Sequence, residues 1–94
     1  MTMNENAAET IALKCLAWLA GEDALLPVFL GASGASESDL RSRAADKDFL
    51  TSVLDFISMD DAWVVQCCDA QNLGYEQPMM ALGVLQGASR THWT

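Results

Sequence analysis

The chain has 94 residues, of which 51% are hydrophobic, and its 13 acidic and 5 basic residues give a net charge of −8. This length is enough for one hydrophobic core, so we expect a single helical domain over residues 1–94. The acidic surplus repels phosphate backbones, which argues against nucleic-acid binding and favours solubility.

The first apolar run, residues 11–20, has features of a helix and lacks those of a signal peptide. Glutamates precede it in place of a cationic segment, and Lys14 interrupts it. No stretch reaches the roughly 18 apolar residues that a membrane span needs. Three cysteines without disulfide-like spacing are typical of a reducing compartment. We therefore expect a cytoplasmic protein that does not bind membranes.

A first helix is predicted over residues 7–20. Apolar side chains recur there at steps of three and four, Asn4 or Asn6 can cap the helix, and Gly21 can end it. Side chains at this spacing share one helix face, so we expect that face to pack inward. Its ridge consists of Ile11, Cys15, Trp18 and Leu19.

A brief second helix is predicted after Asp23, which can cap it, and before Gly34. Pro27 is tolerated only near the start of such a helix, because proline lacks an amide hydrogen and crowds the preceding turn. The apolar residues of this helix are Leu25, Leu26, Val28, Phe29 and Leu30.

A small-residue connector leads into a third predicted helix, residues 37–45. Ser36 followed by Asp39 resembles a capping box, with Asp where Glu or Gln is preferred. We expect Leu40 and Ala44 to face inward from this helix.

The strongest helical pattern follows Asp46, which is placed to cap a fourth helix. Asp60 and Asp61 then start a fifth helix over about residues 62–72, with Gly74 close behind. The apolar face of the fourth helix consists of Phe49, Leu50, Val53, Leu54 and Ile57.

A sixth helix is predicted to open at Pro78 and to end near Gly87. Residues 1–6 and 88–94 are interpreted as flexible tails. No segment alternates apolar and polar residues over a useful length, so strands have little support. We therefore predict an all-α fold, a single compact bundle of five or six short helices.

The adjacent cysteines Cys67 and Cys68 are the feature most suggestive of chemistry. Neighbouring residues on a helix point about 100° apart, so both thiols cannot line one site, and a disulfide between them would strain the backbone. Gln66 and Asp69 lie beside them and supply no cation to favour a thiolate. We interpret both as buried residues that pack in the hydrophobic core, since free cysteine behaves as a small hydrophobic residue.

No other catalytic or ligand-binding pattern is present in the sequence. The cysteines and His92 lack the spacing of a metal site, and the aspartate pairs lack the glycine and glutamate of a calcium loop. The segment GASGAS has no preceding strand and no lysine, so it does not match a phosphate-binding loop. We expect no metal and no cofactor, and we do not expect an enzyme.

Apolar residues of the predicted fifth helix cover more than the single face that packing against a core requires. Such a helix is either central in the bundle or shared between the core and a partner, and the central interpretation is favoured here. Methionines at the start of the sixth helix and a tryptophan near the C-terminus add apolar side chains that suit adaptable interfaces. The predicted interaction surface comprises Trp63, Val64, Met79, Met80 and Trp93.

The leading hypothesis is a small protein–protein interaction or regulatory module with an unidentified protein partner. Two alternatives remain open: an enzyme that uses the thiol of Cys67 or Cys68, and a structural homo-oligomer. Because the net charge of −8 makes two copies repel each other, we expect a monomer or a weak homodimer.

The stretch from Cys15 to Trp63, CLAWLAGEDALLPVFLGASGASESDLRSRAADKDFLTSVLDFISMDDAW, resembles a family of small bacterial proteins known as domain of unknown function 3572. The resemblance extends over about residues 12–85 and departs from the family pattern at Pro27 and at residues 75–78. It implies an all-helical cytoplasmic protein with no assigned activity, so it transfers no site residues. Its best-fitting segments are residues 17–21, 29–34, 40–41 and 48–56.

Overall fold

The computed structural model describes the backbone of residues 3–90 and the side chains of residues 3–87. Over this range the chain is all-α and has no strand, which confirms the predicted fold class. Its radius of gyration is 12.6 Å, close to the roughly 12.4 Å expected for a compact chain of this length. The helices are α1 (Glu5–Ala20), α2 (Leu26–Ser33), α3 (Asp39–Ser42), α4 (Lys47–Ser58), α5 (Asp61–Gln71) and α6 (Gln77–Arg90).

The first helix, α1, begins at Glu5, earlier than predicted, because Asn4 caps it. The Asn4 Oδ1 atom accepts a hydrogen bond from the Ala7 amide at 2.7 Å, which satisfies one of the free amides of the first turn. The helix ends where the sequence predicted. All residues of the predicted ridge are buried: Ile11, Cys15, Trp18 and Leu19.

The second helix, α2, has no side-chain cap, so Asp23 does not have the predicted role. Pro27 lies in the first turn, where its missing amide hydrogen costs no helical hydrogen bond. The helix ends before Gly34, as predicted, and this glycine has the left-handed φ of 75° that favours a residue without a Cβ atom.

The third helix, α3, covers only Asp39–Ser42 and is shorter than predicted. The Asp39 carboxylate accepts a hydrogen bond from the Ser36 amide at 3.0 Å, which is one half of the predicted capping box. No residue of α3 is buried, so little packing energy supports further turns. Leu40 and Ala44 do face the core, but both are only partly buried.

Aspartate caps start α4 and α5, as predicted. The Asp46 carboxylate accepts a hydrogen bond from the Asp48 amide at 2.9 Å, and the Asp60 carboxylate accepts one from the Ala62 amide at 2.8 Å. The fifth helix does not use a glycine to end. Asn72 adopts the left-handed conformation, with φ of 60°, and closes the helix before Gly74 is reached.

The sixth helix, α6, starts at Gln77, with Pro78 in its first turn, and continues to Arg90. It therefore extends beyond Gly87, where the sequence predicted its end. Glycine in a helix interior costs about 1 kcal/mol relative to alanine, and it commonly ends a helix by taking a left-handed conformation. Gly87 does not have a positive φ, so the helix passes through it.

The core lies between α1, α4 and α6, which pack most extensively against one another. The apolar face predicted for α4 is buried. From α2, Phe29 enters this core and meets the rings of Phe49 and Phe56 edge to face, with centroids 5.9 and 5.4 Å away. It is the buried side chain of α2, so this aromatic cluster attaches α2 to the bundle.

The fifth helix is peripheral, and the central interpretation of it is wrong. It packs against α1 and α4 along one face, and only Cys67 and Cys68 among its residues are buried. Val65, on another face, is 40% exposed. Within residues 3–90, none of the helices combines the length and the apolar character that crossing a bilayer requires.

Candidate functional site

Among the residues of the predicted interaction surface that the structure describes, the two at the start of α6 are the most exposed. Met79 is 56% exposed and Met80 is 42% exposed. Met80 also lines a groove between the N-terminal ends of α1 and α6, with a volume of about 400 Å³. This α1–α6 groove is lined by Met3, Asn4, Ala7, Ile11, Glu76, Gln77 and Met80.

The polar rim of the α1–α6 groove is held by hydrogen bonds to the backbone. The Gln77 Oε1 atom accepts a hydrogen bond from the Gly74 amide at 2.9 Å, and Asn4 caps α1 on the opposite side. Ile11 is 7% exposed and packs into the core below. The groove therefore has an apolar base, a methionine on each wall and a rim of amide and carboxylate groups.

Two other residues of the predicted surface lie elsewhere. Trp63 and Val64 are partly buried and pack against the core. The Trp63 ring stacks on Phe56 with centroids 5.0 Å apart and an angle of 22° between the planes. Trp63 therefore holds the α4–α5 corner together. Trp93 lies outside the described residues.

The sequence missed the α1 wall of the groove. The sequence indicates a tail over residues 1–6, with Asn4 considered only as a possible cap of the first helix, so neither Met3 nor Asn4 is expected to line a groove. Met3, Ala7 and Ile11 recur at steps of four, which is the spacing of one helix face and could have revealed the wall.

A second groove lies between α1, α2 and α3 and has a volume of about 560 Å³. Its walls are less firmly anchored, because α3 buries no side chain and α2 buries only Phe29. Charged and apolar groups share its lining: Leu13, Leu16, Ala17, Ala20, Asp23, Leu26, Glu37, Leu40 and Arg41.

The three cysteines are free thiols, and all are buried. Cys15 of α1 and Cys67 of α5 are both 0% exposed and belong to the same core cluster. Interaction with the Cys67 thiol and burial both raise the pKa of Cys15, because each disfavours the charged form. Interaction with the Cys15 thiol lowers the pKa of Cys67, because it favours the charged form there.

Cys68 points to a different part of the structure. Its Sγ atom donates to the Gly74 carbonyl at 3.5 Å. Burial raises the pKa of Cys68, and the nearby Cys67, Asp69 and Glu76 raise it further. The two adjacent cysteines therefore do not form one site, which agrees with the helical geometry expected from the sequence.

Charged side chains at the surface are partly paired. Lys47 of α4 forms an ion pair with Glu5 of α1, and Arg43 binds Asp46 at 3.2 Å. The Arg43 guanidinium also lies over the Phe49 ring, 5.0 Å from its centroid. Across the part of the chain that the structure describes, no group of three or more histidine, cysteine or acidic side chains is arranged to hold a metal ion.

Comparison with known proteins gives a family for the chain but no activity. No curated protein and no solved structure matches it. The family model of proteins of unknown function called DUF3572 matches residues 5–88, which includes all the helices except the last residues of α6. The match covers most of the chain and confirms the resemblance seen in the sequence. The chain therefore belongs to the DUF3572 family of proteins of unknown function.

Proposed function

We propose that this protein is a small protein–protein interaction or regulatory module and that the α1–α6 groove is its docking surface. The observation that supports the proposal is Met80, 42% exposed at the edge of a concave apolar site. Methionine is unbranched and polarisable, so it conforms to varied partner surfaces. A partner that covers it removes apolar area from water, which favours association.

The α1–α6 groove suits docking better than the larger groove between α1, α2 and α3. Its walls belong to α1 and α6, the pair of helices in most extensive contact within the described part of the chain. A preformed surface loses less conformational entropy when a partner binds. The larger groove depends on α3, which has no buried residue to fix its position.

The charge of the protein favours a partner with an apolar anchor and basic flanks. Glu76 lies at the groove, and the chain as a whole has a net charge of −8. Complementary charge steers association and rejects acidic partners, although it adds less to affinity than burial of the anchor.

A photoreactive amino acid placed at Met80 tests the proposal in the source cells. The matched control is the same replacement at Met59, a methionine that is 72% exposed at the C-terminal end of α4 and does not line the groove. We expect a cross-linked partner from position 80 and none from position 59. The Met80→Gln variant keeps the length of the side chain but adds a polar amide. It should weaken capture of that partner by at least about tenfold, whereas Met59→Gln should not.

Each other outcome points to a different conclusion. Equal cross-linking from both positions, or none from position 80, would contradict the assignment of the groove. A cross-link between two copies of the chain would favour the structural homo-oligomer. The alternative of a cysteine enzyme has less support, because Cys67 and Cys68 are 0% and 1% exposed.

A further inference from the structure

Residues 22–45, here called the α2–α3 segment, join α1 to α4 and include both short helices. Of their side chains Phe29 is buried, and all the others are partly or fully exposed. In contrast, α1 and α4 each bury at least six side chains. Because burial of apolar area holds a helix on its neighbours, the α2–α3 segment is weakly attached for its length.

The attachment of the α2–α3 segment is mainly to α4. Phe29 lies against the rings of Phe49 and Phe56, and the Arg43 guanidinium lies over the Phe49 ring, 5.0 Å from its centroid. Within residues 3–90, α3 makes no extensive contact with another helix. Smaller contacts with the core come from partly buried side chains: Leu25, Leu26, Leu30, Ala35, Leu40 and Ala44.

On its other side the α2–α3 segment is separated from α1. The groove of about 560 Å³ lies between them, with Leu16 on the α1 wall and Leu40 on the α3 wall. The helices at the two ends of the segment are complete without it, because α1 ends at Ala20 and the Asp46 side chain caps α4. The segment can therefore move while both helices keep their own hydrogen bonds.

We propose that the α2–α3 segment is a lid that opens as one unit from the bundle of α1, α4, α5 and α6. Elements with few buried contacts open at lower free energy than the whole domain unfolds. Opening takes Phe29 out of its aromatic cluster, whereas α1, α4 and α6 keep their packing against one another. The lid does not depend on docking at the α1–α6 groove, which other residues line.

The open form presents an apolar surface that the closed form covers. Opening exposes Phe49 and Phe56 of α4 together with Leu16 of α1, all of which are at most 7% exposed when the lid is closed. A molecule that binds this surface shifts the protein toward the open form, and its apparent affinity is reduced by the fraction of protein that is open. The lid therefore controls access to an apolar face of the bundle.

Hydrogen exchange of the wild-type protein, measured at single amides by NMR in urea concentrations below the unfolding transition, tests the lid. The α2 amides of Phe29 and Gly34 donate to the Leu25 and Leu30 carbonyls, each at 3.0 Å, so they exchange when α2 opens. After correction for intrinsic rates, they should exchange at least about tenfold faster than amides in the middle of α1 and α4. Their dependence on urea should be measurable but less than about half as steep, because lid opening exposes less surface than unfolding.

Variants at Phe29 test whether this side chain holds the lid closed. Phe29→Ala should speed exchange of the Gly34 amide by about a hundredfold or more, because a large buried side chain is lost. Phe29→Leu should give a smaller increase and serves if the alanine variant does not fold. Val28→Ala is the matched control, since Val28 is 53% exposed, and should change the rate by less than about twofold.

Three results would overturn the proposal. In the first, the α2 amides exchange no faster than those of α1 and α4 and with the same urea dependence, so the domain opens all at once. In the second, exchange of the α2 amides does not depend on urea, so single residues fluctuate and no unit opens. In the third, Val28→Ala speeds exchange as much as the Phe29 variants do.

Discussion

Replacing Phe29 by alanine tests how α2 is attached to the bundle. Phe29 is 1% exposed, is the buried residue of α2, and meets two aromatic rings of α4 edge to face. The variant removes a large apolar side chain, leaves a cavity beside Phe49 and Phe56, and loses both ring contacts. We expect the free energy of unfolding to fall by about 3 to 5 kcal/mol.

That loss is large for a domain of this size, whose total stability is about 5 to 14 kcal/mol. Phe29→Leu separates the two contributions, because leucine keeps much of the apolar volume but none of the ring contacts. Each edge-to-face pair is worth about 0.5 to 1.5 kcal/mol, so this variant should lose about 1 to 3 kcal/mol. Val28, the preceding residue, is 53% exposed, and Val28→Ala should change stability by less than about 0.5 kcal/mol.

Urea unfolding followed by far-ultraviolet circular dichroism measures all three variants against the wild type. The dependence of stability on urea should stay the same, since each variant exposes a similar surface on unfolding. A loss below about 1 kcal/mol for Phe29→Ala, or an equal loss for Val28→Ala, would show that Phe29 does not anchor α2.

Three further predictions follow from burial and charge. Cys67 and Cys68 should react with a water-soluble thiol reagent far more slowly than free cysteine while the protein is folded, and rapid labelling at neutral pH would contradict their burial. Asp46→Ala should destabilise the protein at neutral pH, because the Asp48 amide loses its partner. The hydrogen bond from Asp48 lowers the pKa of Asp46, so the carboxylate stabilises the fold above its unfolded pKa and this contribution is lost as the pH falls through the folded value. The difference in urea midpoint between wild type and variant should therefore be smaller in acid than at neutral pH. If the difference is the same at both, the charge of the Asp46 carboxylate does not stabilise α4. In sedimentation the protein should be a monomer at low salt and micromolar concentration, with any dimer appearing as salt screens the charge of −8; a single monomer at high salt and high concentration would exclude self-association.

Local signals predicted most of the helices because caps and apolar spacing act within a few residues. Asn4, Asp46 and Asp60 each accept a hydrogen bond from an amide in the first turn, so their role can be recognised from position alone. Glycine was less reliable as an end signal. Asn72 closes α5, and α6 passes through Gly87, because a left-handed conformation ends a helix whichever residue adopts it.

The candidate sites could not be predicted to the same extent. Spacing along α5 showed correctly that Cys67 and Cys68 diverge, but nothing in the sequence showed that Cys67, and not Cys68, joins the same core cluster as Cys15. The sequence likewise grouped Met80 with Trp63, whereas the structure places Met80 beside α1 and stacks Trp63 on Phe56. Such groupings depend on which helix faces meet across the bundle.

The sequence by itself determined that this protein is helical, where four of its helices begin or end, and which faces of α1 and α4 are buried. These properties follow from hydrogen bonds and side-chain spacing within one or two turns. Only the tertiary structure decided that α5 is peripheral, that Cys67 joins the core cluster of Cys15, and that the starts of α1 and α6 enclose a groove. Apolar contacts are not directional, so an apolar face specifies burial without specifying the partner, and packing of the whole bundle makes that choice.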